Sequence, residues 1–591
     1  MRINSIEIHN WRSIESIKIN FENLMIFIGQ NNHGKSNVLS AILFFLGEFG
    51  VSETDYRKGS DELWVEIEFI DLDSHDKSQF RKYVTSDNKI KVRRSANSNT
   101  GVSYNGYTQI PKDDLLKETA LSDYTSRDKA KELPFFYLLP DSGRITKALL
   151  QEALEKYISE NADSIEFEYN LEETNFLGAK NIAQGIFGTV IFVPALKNAS
   201  DELSTKGSST FNKLLSKVIN EMSESNEKYK EAREKIKELT QILNKQTADG
   251  NDNEERPTEL SELESQIENL LSRWNTTIDI EITPPNIDDV FRLGTQVWVD
   301  DGVKTDIAQK GHGLQRSMLF ALIRSWIATS KEAKKEDTED ADSGRKTSDS
   351  TYFILEEPEL YLHPQAQREF FQTLKDISEQ EKGQVIMSTH SSYFLDLDMY
   401  RSICIIKKEN SSSNTDCFQC TTDLFSEIDD KKHFNLSYWI NPDRGELFFS
   451  EKTILVEGPS DKTIIPYLAK SIEAFKHGYT IIDCGGKSSI PLYIHLLNSF
   501  KIPYVAVYDK DHQSNKKDSD KSKADADSKR IEDSVDSSLG CTVILENDIE
   551  EEIGITDGNK KNKPFIALTE VSNENYRLTD SFKEKIKLIY K

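Results

Sequence analysis

The chain has 591 residues, of which 37% are hydrophobic and 9% aromatic, so we expect several domains with buried cores and exclude a wholly disordered protein. Its 74 basic and 100 acidic side chains leave a net charge of −26, which argues against general adhesion to nucleic acid but allows a local basic groove. The sequence has no apolar run of about 18 residues and no leader after Met1, which predicts a cytoplasmic protein without a membrane span.

The N-terminal segment predicts a nucleotide-binding loop. Alternating apolar residues in INSIEIHNWRSIESIKINF predict a pair of strands, and the apolar strand 24–28 then leads into the P-loop Gly29-x4-Gly34-Lys35-Ser36 and a helix. The glycines let main-chain N–H groups converge on phosphate oxygens, while Lys35 is expected to reach the β- and γ-phosphates and Ser36 to bind Mg²⁺. The residues predicted to bind ATP here are Gly29, Asn31, Gly34, Lys35, Ser36 and Asn37.

A short basic stretch follows in NKIKVRR. Lys89, Lys91 and Arg93 alternate there, so they are expected to share one face of a strand. This pattern is typical of a surface that binds DNA and equally of a solvated strand edge.

Residues 207–275 predict a helical insert. Apolar side chains repeat at helical spacing in two arms, which Pro257 and the polar stretch TADGNDNEERP separate. The first arm contains Leu214, Leu215, Val218, Ile219 and Met222, and the second contains Leu260, Leu263, Ile267, Leu270 and Leu271. Arms of this length predict a helical hairpin, either a dimer interface or a surface lobe, and we favour the dimer interface.

The stretch 307–328 predicts a signature segment. Gly311, Gly313 and Gln315 lie in a loop and the start of a helix, as expected for residues that contact a nucleotide held by a partner subunit. An ordinary glycine-rich helix cap is the alternative. The position just before an acidic strand favours the signature interpretation.

Two apolar strands then end in polar residues. The strand 352–355 ends in Glu356 and Glu357, of which Glu356 is expected to hold Mg²⁺ and Glu357 to orient the attacking water. The next strand ends at His390, a position suited to sensing the γ-phosphate. The wide separation of these motifs from the P-loop indicates an ABC-type ATPase head with an insert, and such heads work as dimers.

The C-terminal part predicts a second site. The strand 453–456 ends at Glu457, and Asp461 lies in the first turn of the following helix. YTIIDCGGK gives a strand and a glycine turn, and IPYVAVYDKD ends at Asp509 and Asp511. Strands that alternate with helices predict a parallel sheet, whose carboxyl edge binds ligands. The charged stretch 513–538 predicts a solvated, mobile insert.

The motifs VEGPSD, CGGK and VYDKD, in this order, resemble a Toprim domain. With the P-loop, KGHGLQR, LEEPELYLHP and STHSS, nearly the whole chain resembles the nucleases of the overcoming lysogenization defect (OLD) family. The resemblance implies an α/β chain: an ABC-type P-loop ATPase head with an inserted helical dimerisation hairpin, and then a C-terminal Toprim α/β domain. The expected ranges are ATPase 1–206 and 276–410, helical insert 207–275, linker 411–450 and Toprim 451–591.

The resemblance also implies chemistry and partners. It implies a DNA endonuclease or nickase that uses ATP and Mg²⁺, with Mn²⁺ possible at the Toprim site, and a role in anti-phage defence. The implied partners are DNA, a second copy of the chain, and either a helicase-like protein or a retron reverse transcriptase with its DNA.

The site residues carried over from the family are mostly acidic. The expected Toprim metal ligands are Glu457, Asp461, Asp509, Asp511, Asp548 and Glu552, and the expected catalytic residues of the chain are Glu357, His390, Asp509 and Lys563. Glu457 and Asp461 match the first acidic pair of the family, and Asp509 and Asp511 match the second. LENDIEEEIG supplies the third acidic cluster, Asp548, Glu550 and Glu552. Asp548 and Glu552, four residues apart, would share a helix face and are the favoured pair. Lys563 is chosen among Lys560, Lys561 and Lys563. The sequence departs from the family in lacking an obvious Q-loop glutamine near VIFVPALK.

The motifs leave two alternative functions. An SMC-like ATPase that clamps or senses DNA with a non-cutting Toprim domain requires broken acidic positions, and the sequence shows none. A topoisomerase also needs a nucleophilic tyrosine in a DNA-cleavage domain, for which this ATPase architecture leaves no room.

Overall fold

The structure is a computed structural model. It describes residues 1–140, 143–161, 164–178, 185–195, 226–246, 253, 256–271, 278–282, 297–332, 348–380, 382–408, 414–424, 442–512, 517–555 and 562–591.

The strands of the described residues are numbered in chain order. They are β1 Arg2–Trp11, β2 Ile14–Asn20, β3 Leu24–Ile28, β4 Glu62–Ile70, β5 Ile90–Asn97, β6 Gly101–Pro111, β7 Phe167–Leu171, β8 Thr189–Val193, β9 Trp298–Asp300, β10 Lys304–Asp306, β11 Thr351–Glu356, β12 Gly383–Ser388, β13 Ile403–Lys408, β14 Thr415–Gln419, β15 Lys452–Val456, β16 Tyr479–Asp483, β17 Tyr504–Asp509 and β18 Gly540–Leu545.

The α-helices of the same residues connect these strands. They are Lys35–Phe45, Ser74–Gln79, Arg127–Ala130, Lys147–Glu160, Glu227–Leu243, Thr258–Leu270, His312–Glu332, Pro364–Ser378, Pro442–Gly445, Pro459–Ser471, Ile490–Ser499, Asp518–Ser534, Ile549–Glu552, Lys563–Val571 and Asp580–Ile589. Among the described helices, none combines the length and the apolarity that crossing a bilayer requires.

The chain divides into two compact units. The first consists of Met1–Val190, Asp342–Glu359 and Gln367–Lys591, and the second of Ile191–Ala341 and Leu360–Ala366. The first unit therefore contains the P-loop, the acidic strand, His390 and the whole C-terminal part. The signature segment lies in the second unit.

An antiparallel sheet opens the first unit, with strand order β2-β1-β4-β5-β6-β7. The predicted strand pair is confirmed, because β1 and β2 pair antiparallel with Ile8 opposite Ile17. In β2 the buried Ile17 and Ile19 alternate with the exposed Ser16, Lys18 and Asn20, the period-2 pattern of a sheet with one covered face.

The second sheet carries the P-loop. Its strand order is β14-β13-β3-β12-β11-β8, and β3 lies between β13 and β12, parallel to both. All five residues of β3 are buried, as expected for a central strand covered on both faces. The strand β14 lies inside the predicted linker 411–450 and pairs antiparallel with β13, so this part of the expected linker is sheet.

The third sheet belongs to the C-terminal part. Its strands are all parallel, in the order β16-β15-β17-β18. Ile454, Ile464, Val507 and Phe582 belong to one buried cluster that joins these strands to the flanking helices. The predicted alternation of strands and helices is confirmed.

The charged stretch after β17 is ordered where the structure describes it. The helix Asp518–Ser534 buries Ala524 and Ile531, which are seven residues apart and therefore share one face. The hydroxyl of Tyr508 donates to Glu532 at 3.0 Å, and the side-chain amide of Asn498 donates to the main-chain oxygen of Ser534 at 3.0 Å. The expectation of a mobile insert is wrong for these residues, because one apolar face and two polar anchors fix the helix.

The second unit contains part of the predicted helical insert. The helix Thr258–Leu270 confirms that the second arm is helical, and Leu270 on it is 81% exposed. Arg256, just before this helix, makes two hydrogen bonds to Glu264 at 2.8 and 2.6 Å. The apolar residues of the first arm, 214–222, lie outside the described residues. Dimerisation through the insert stays a prediction.

Candidate nucleotide site and candidate metal centre

The P-loop folds around the ammonium group of Lys35. Its Nζ donates to the main-chain oxygens of Gly29 at 2.9 Å and Gln30 at 3.1 Å. Burial lowers the pKa of Lys35, and the nearby carboxylates of Glu357 and Glu359 oppose that shift. Lys35 therefore lies inside the loop that the sequence predicts for phosphate binding.

Two glycines of this loop are required by its geometry. Gly29 has φ +149°, and a Cβ there would lie 2.1 Å from the main-chain oxygen of Ile406. Gly34 has φ +106°, and a Cβ there would lie 2.6 Å from Oγ1 of Thr415. The close approach of β13 and β14 thus excludes any side chain at either position.

The predicted magnesium ligands of the nucleotide site lie together. The Ser36 hydroxyl donates a hydrogen bond to Glu356 Oε1, across the sheet edge where β3 and β11 end. A serine hydroxyl and a carboxylate oxygen are hard ligands that suit Mg²⁺. The predicted strand 352–355 is confirmed, with one further residue at each end.

Glu357 and His390 also come together. His390 Nε2 lies 3.6 Å from Glu357 Oε1, and the main-chain N–H of Glu357 donates to the oxygen of Ser388 at 2.9 Å. Burial and then the charge of Lys35 lower the pKa of His390, which favours the neutral imidazole. This arrangement supports the predicted roles of both residues.

Glu359 is a site residue that the sequence reasoning missed. Its Oε1 accepts a hydrogen bond from the main-chain N–H of His390 at 2.6 Å, and burial raises its pKa. It therefore fixes the backbone that carries His390. LEEPEL contains three glutamates, so the sequence could have suggested a third acidic site residue. Nothing in the sequence shows which of the three turns inward.

The other predicted nucleotide contacts differ in their surroundings. Asn31 lies exposed in the P-loop. Asn37 is already engaged, since its side-chain amide donates to Ser13 Oγ at 2.8 Å and its oxygen accepts from Arg12 at 3.2 Å. Asn37 thus joins the P-loop helix to the turn between β1 and β2.

The predicted signature residues surround the start of the helix His312–Glu332. Gln315 is 1% exposed, and its side-chain amide donates to the main-chain oxygens of Ile307 at 3.0 Å and Lys310 at 2.9 Å. Its amide therefore holds the loop in shape. Gly311 and Gly313 flank His312 at the first turn, so they stay predicted nucleotide contacts.

The second site lies at the carboxyl edge of the third sheet. Glu457 follows β15 and Asp509 ends the neighbouring β17, and the main-chain N–H of Asp509 donates to Glu457 Oε1 at 2.6 Å. Asp461 accepts a hydrogen bond from the main-chain N–H of Gly458 at 3.1 Å through Oδ2. Parallel strands end at one edge, so these acids lie together as predicted.

The electrostatics of this edge are those of crowded carboxylates. Burial, followed by the charge of Glu457, raises the pKa of Asp461 to about 7. The pKa of Asp509 is raised to about 10. Burial is the largest cause, and the charges of the neighbouring acids are the next causes: Glu457, Asp461, Asp511 and Asp548. Neighbouring negative charges disfavour ionisation unless a cation compensates them.

The acidic edge fits a divalent cation. Oδ1 of Asp461 and Oδ1 of Asp509 are buried and accept no hydrogen bond from any residue that the structure describes. Buried carboxylate oxygens that lack a donor are costly, and a metal ion supplies the missing partner. An all-oxygen set of this kind suits Mg²⁺ or Mn²⁺.

The third acidic cluster differs from the expected one. Asp548 caps the helix Ile549–Glu552 by accepting from the main-chain N–H of Glu551 at 2.9 Å. Glu550 accepts from the Ser460 hydroxyl at 3.0 Å, and its Oε2 lies 3.4 Å from Nζ of Lys563. Glu550 thus turns toward the first acidic pair, and its charge contributes to the raised pKa of Asp461.

Glu552 has a different neighbour. Its Oε1 lies 2.5 Å from Nζ of Lys585 and accepts from the main-chain N–H of Glu546 at 3.2 Å. The predicted pair of Asp548 and Glu552 is therefore not brought together as two metal ligands. Lys560 and Lys561 lie outside the described residues, and Lys563 lies beside Glu550.

Two other charged clusters have local explanations. Lys91 and Arg93 on β5 both pair with Glu66 on β4, at 2.5 and 2.8 Å, and Lys89 pairs with Asp87 at 2.7 Å, so each of the three basic side chains has an acidic partner nearby. Asp73 and Asp76 could join His75 around a metal. Their carboxylates form a capping box at the helix Ser74–Gln79, and Asp76 also accepts from the nitrogen of Met1 at 3.0 Å.

Comparison with known families defines the class. Residues 1–395 match the family described as AAA ATPase domain, and residues 448–511 match the TOPRIM domain described as overcoming lysogenization defect protein-like. The protein is thus an ATPase joined to a TOPRIM domain. The chain belongs to the AAA ATPase domain family, and the prediction of an OLD-family ATPase with a C-terminal Toprim domain is confirmed.

Three relatives carry informative names. The Old nuclease of Escherichia phage P2 is 26% identical over 530 residues, which cover 87% of this chain and 78% of that protein. Endonuclease GajA of Bacillus cereus (strain VD045) is 24% identical over 530 residues, 87% of this chain and 76% of its own length. The OLD nuclease of Thermus scotoductus is 31% identical over 160 residues, 27% of this chain and 30% of that protein.

Proposed function

We propose that this chain is an ATP-regulated, metal-dependent DNA endonuclease or nickase. The observation that carries the proposal is the convergence of Glu457, Asp461 and Asp509, with the charges of Asp511 and Asp548, at one sheet edge. Two relatives that match 87% of this chain are named nucleases.

The acids are proposed to hold two divalent cations. We assign Glu457, Asp461, Asp509, Asp511 and Asp548 as ligands, and Glu550 replaces Glu552 because it faces the first acidic pair. Bound divalent cations would lower the pKa of a water and stabilise the leaving oxygen of the phosphodiester. Mg²⁺ is the expected ion, and Mn²⁺ is the alternative.

Lys563 has a separate role in this proposal. Its ammonium lies 3.4 Å from Glu550 and is half-exposed, so it can face a phosphate at the same edge. A cation there would stabilise negative charge that builds up on the scissile phosphate. Glu550 would keep the lysine in place between substrates.

In the ATPase, Glu357 is proposed to orient the attacking water and His390 to contact the γ-phosphate. Glu356 and Ser36 would hold Mg²⁺, and Lys35 would contact the β- and γ-phosphates. We further propose that Gly311 and Gly313 act on the nucleotide of a second copy, so the active form is a homodimer. DNA is the proposed partner, because metal ions held at the acidic edge would act on a phosphodiester.

Regulation by ATP is supported by a segment that connects the two sites. This connecting segment, residues 442–451, precedes β15, and Gly445 in it packs so closely that a Cβ would lie 3.2 Å from Cβ of Ser392, two residues after His390. Phe448 stacks edge-on against Phe500, with ring centres 5.2 Å apart. A movement at His390 would therefore reach the strand that ends at Glu457.

A cavity lies along the same segment. It has a volume of about 240 Å³ and is lined by P-loop residues, by the connecting segment and by residues that precede β17. Gly29, Gln30 and His33 represent the P-loop, and Phe448 and Pro503 the C-terminal part. Because the P-loop and the segments that lead into β15 and β17 line the same cavity, a change at the P-loop would reach the start of these two strands.

A cleavage assay on purified protein tests the proposal. Supercoiled and linear DNA are incubated with Mg²⁺ or Mn²⁺, with and without ATP, using the wild type, Asp509→Asn and the exposed control Asp533→Asn. We expect the wild type and the control to cut, and Asp509→Asn to lose at least about 100-fold, because the charge of a metal ligand is lost. Absence of cutting by the wild type, or equal cutting by Asp509→Asn, would contradict the nuclease function.

Two further variants test the proposed regulation by ATP. Lys35→Ala is expected to lose ATP binding and, with it, any response of cutting to ATP, and normal ATP hydrolysis by this variant would contradict the P-loop assignment. Gly445→Val places a branched side chain against Ser392 and is expected to change the response of cutting to ATP, with ATP binding retained. We place the activity in the cytoplasm and propose that it serves anti-phage defence.

A further inference from the structure

Lys487 lies beside the acidic edge. The residue is 7% exposed, and its Nζ donates a hydrogen bond to the main-chain oxygen of Asp509. The same ammonium lies 5.3 Å from the ring centre of Tyr508, the residue before Asp509. One buried cation therefore contacts the end of β17 at two consecutive residues.

The route of the chain explains how Lys487 reaches that strand. It follows β16, whereas Asp509 ends β17, and β15 lies between the two strands. Gly485 and Gly486 have φ +73° and +137°, and Gly485 N–H donates to Asp483 Oδ1 at 2.8 Å. This left-handed turn, which suits glycine, brings the long side chain of Lys487 across the end of β15.

The charge of Lys487 is the informative feature. A buried ammonium costs several kcal/mol unless polar partners compensate it, so an apolar side chain of similar length would pack there at lower cost. The compensation comes from the Asp509 carbonyl, which accepts its hydrogen bond, and from the ring of Tyr508, which the ammonium faces. A residue that only filled space would not need this charge.

We propose that Lys487 is a positioning residue for Asp509. Its ammonium holds the last peptide of β17, so that the Asp509 carboxylate faces the ligands Glu457 and Asp461. This inference rests on the proposed metal-dependent cleavage and adds a residue that touches neither metal nor substrate.

Lys487→Met and Lys487→Arg test the proposal, with Lys529→Met as an exposed control from the same domain. We expect Lys487→Met to lower kcat for DNA cleavage at saturating Mg²⁺ by about 10-fold or more, with KM for DNA, ATP hydrolysis and Tm near wild type. Lys487→Arg keeps a donor and a charge and should recover part of kcat. Lys529→Met should cut like the wild type.

Mn²⁺ binding, followed by calorimetry, separates positioning from a merely structural role. We expect Lys487→Met to bind Mn²⁺ more weakly than wild type at an unchanged Tm, because the Asp509 carboxylate is no longer held toward Glu457 and Asp461. Weaker Mn²⁺ binding together with a lower Tm, or an unchanged kcat, would overturn the proposal. If the wild type cuts no DNA, the nuclease function fails by itself, and unchanged Mn²⁺ affinity in Lys487→Met then overturns the assignment of Lys487.

Discussion

The main-chain N–H of Asp509 donates to Oε1 of Glu457 at 2.6 Å, which joins the ends of two neighbouring parallel strands through an acid. The Glu457 carboxylate thus accepts a backbone hydrogen bond and also faces the candidate metal centre. Glutamine at this position keeps the hydrogen-bond acceptor and loses the charge that a metal ligand needs. Alanine loses both.

We therefore predict different outcomes for two substitutions of Glu457. Both Glu457→Gln and Glu457→Ala should lose DNA cleavage by about 100-fold or more, since a metal ligand loses its charge. Only Glu457→Ala should lose stability, by about 1–3 kcal/mol, because the Asp509 N–H is left without its acceptor. Cleavage and urea unfolding measure the two effects, and wild-type cutting by Glu457→Gln would exclude the ligand role.

The acidic edge also predicts how stability depends on pH without metal. Burial raises the pKa of Asp509 to about 10 and that of Asp461 to about 7, whereas both titrate near 4 when unfolded. Between pH 4 and the folded pKa values the folded state binds more protons, so stability falls as pH rises. In EDTA, Asp509→Asn should melt at least about 2 °C above wild type at pH 8 and approach it near pH 4.

Metal should reverse this difference. Mg²⁺ compensates the ionised carboxylates and stabilises the wild type by mass action, while Asp509→Asn gains less. Thermal melts at pH 8 with and without Mg²⁺ measure the effect. An equal Mg²⁺ shift in both proteins would show that Asp509 holds no cation.

Glu550 and Glu552 form a matched pair of acids two residues apart. Glu550→Gln should lower cleavage by about 10-fold or more with little change in Tm, because this side chain faces Ser460, Lys563 and the first acidic pair. Glu552→Gln should keep cleavage and lower Tm, because it weakens the contact with Lys585. The reverse result would restore the pair that the sequence suggests.

The exchange of Glu550 for Glu552 shows where sequence reasoning stops. The strand ends at Glu457 and Asp509 were predictable because apolar strands ending in acids must meet at one edge of a parallel sheet. In the four-residue helix Ile549–Glu552, the spacing alone cannot decide which acid turns inward. Lys585, far along the chain, decides it by binding Glu552.

Two further elements could not be predicted from the sequence, because tertiary contacts determine them. The helix Asp518–Ser534 buries only Ala524 and Ile531 within a run of charges, so composition indicates a solvated loop. The strand β14 has the sequence TDCFQ, and its place is fixed by pairing with β13 and by the contact of Thr415 with the P-loop. Tertiary contacts override weak local patterns in both cases.

The nucleotide site predicts a difference between Glu357 and Glu359. Glu357→Gln should bind ATP and lose hydrolysis by about 100-fold, because the carboxylate that orients the water is lost. Glu359→Gln keeps an acceptor for the His390 N–H and should retain most hydrolysis, whereas Glu359→Leu removes the acceptor and should lose about 10-fold. Phosphate release at saturating ATP measures all three variants, and full activity of Glu359→Leu would show that His390 needs no such support.

The helix after β17 supplies the last prediction. Ile531 is fully buried on the face that packs against the domain, whereas Lys529 on the same helix is exposed. Ile531→Ala should cost about 2–5 kcal/mol of unfolding free energy, and Lys529→Ala should change it by less than about 0.5 kcal/mol. This helix follows the proposed metal ligand Asp511 in the chain. Ile531→Ala should therefore also slow DNA cleavage at urea concentrations too low to unfold the protein. Urea unfolding and cleavage rates measure both effects, and an Ile531→Ala protein as stable as wild type would mean that the stretch is the solvated insert that its composition indicates.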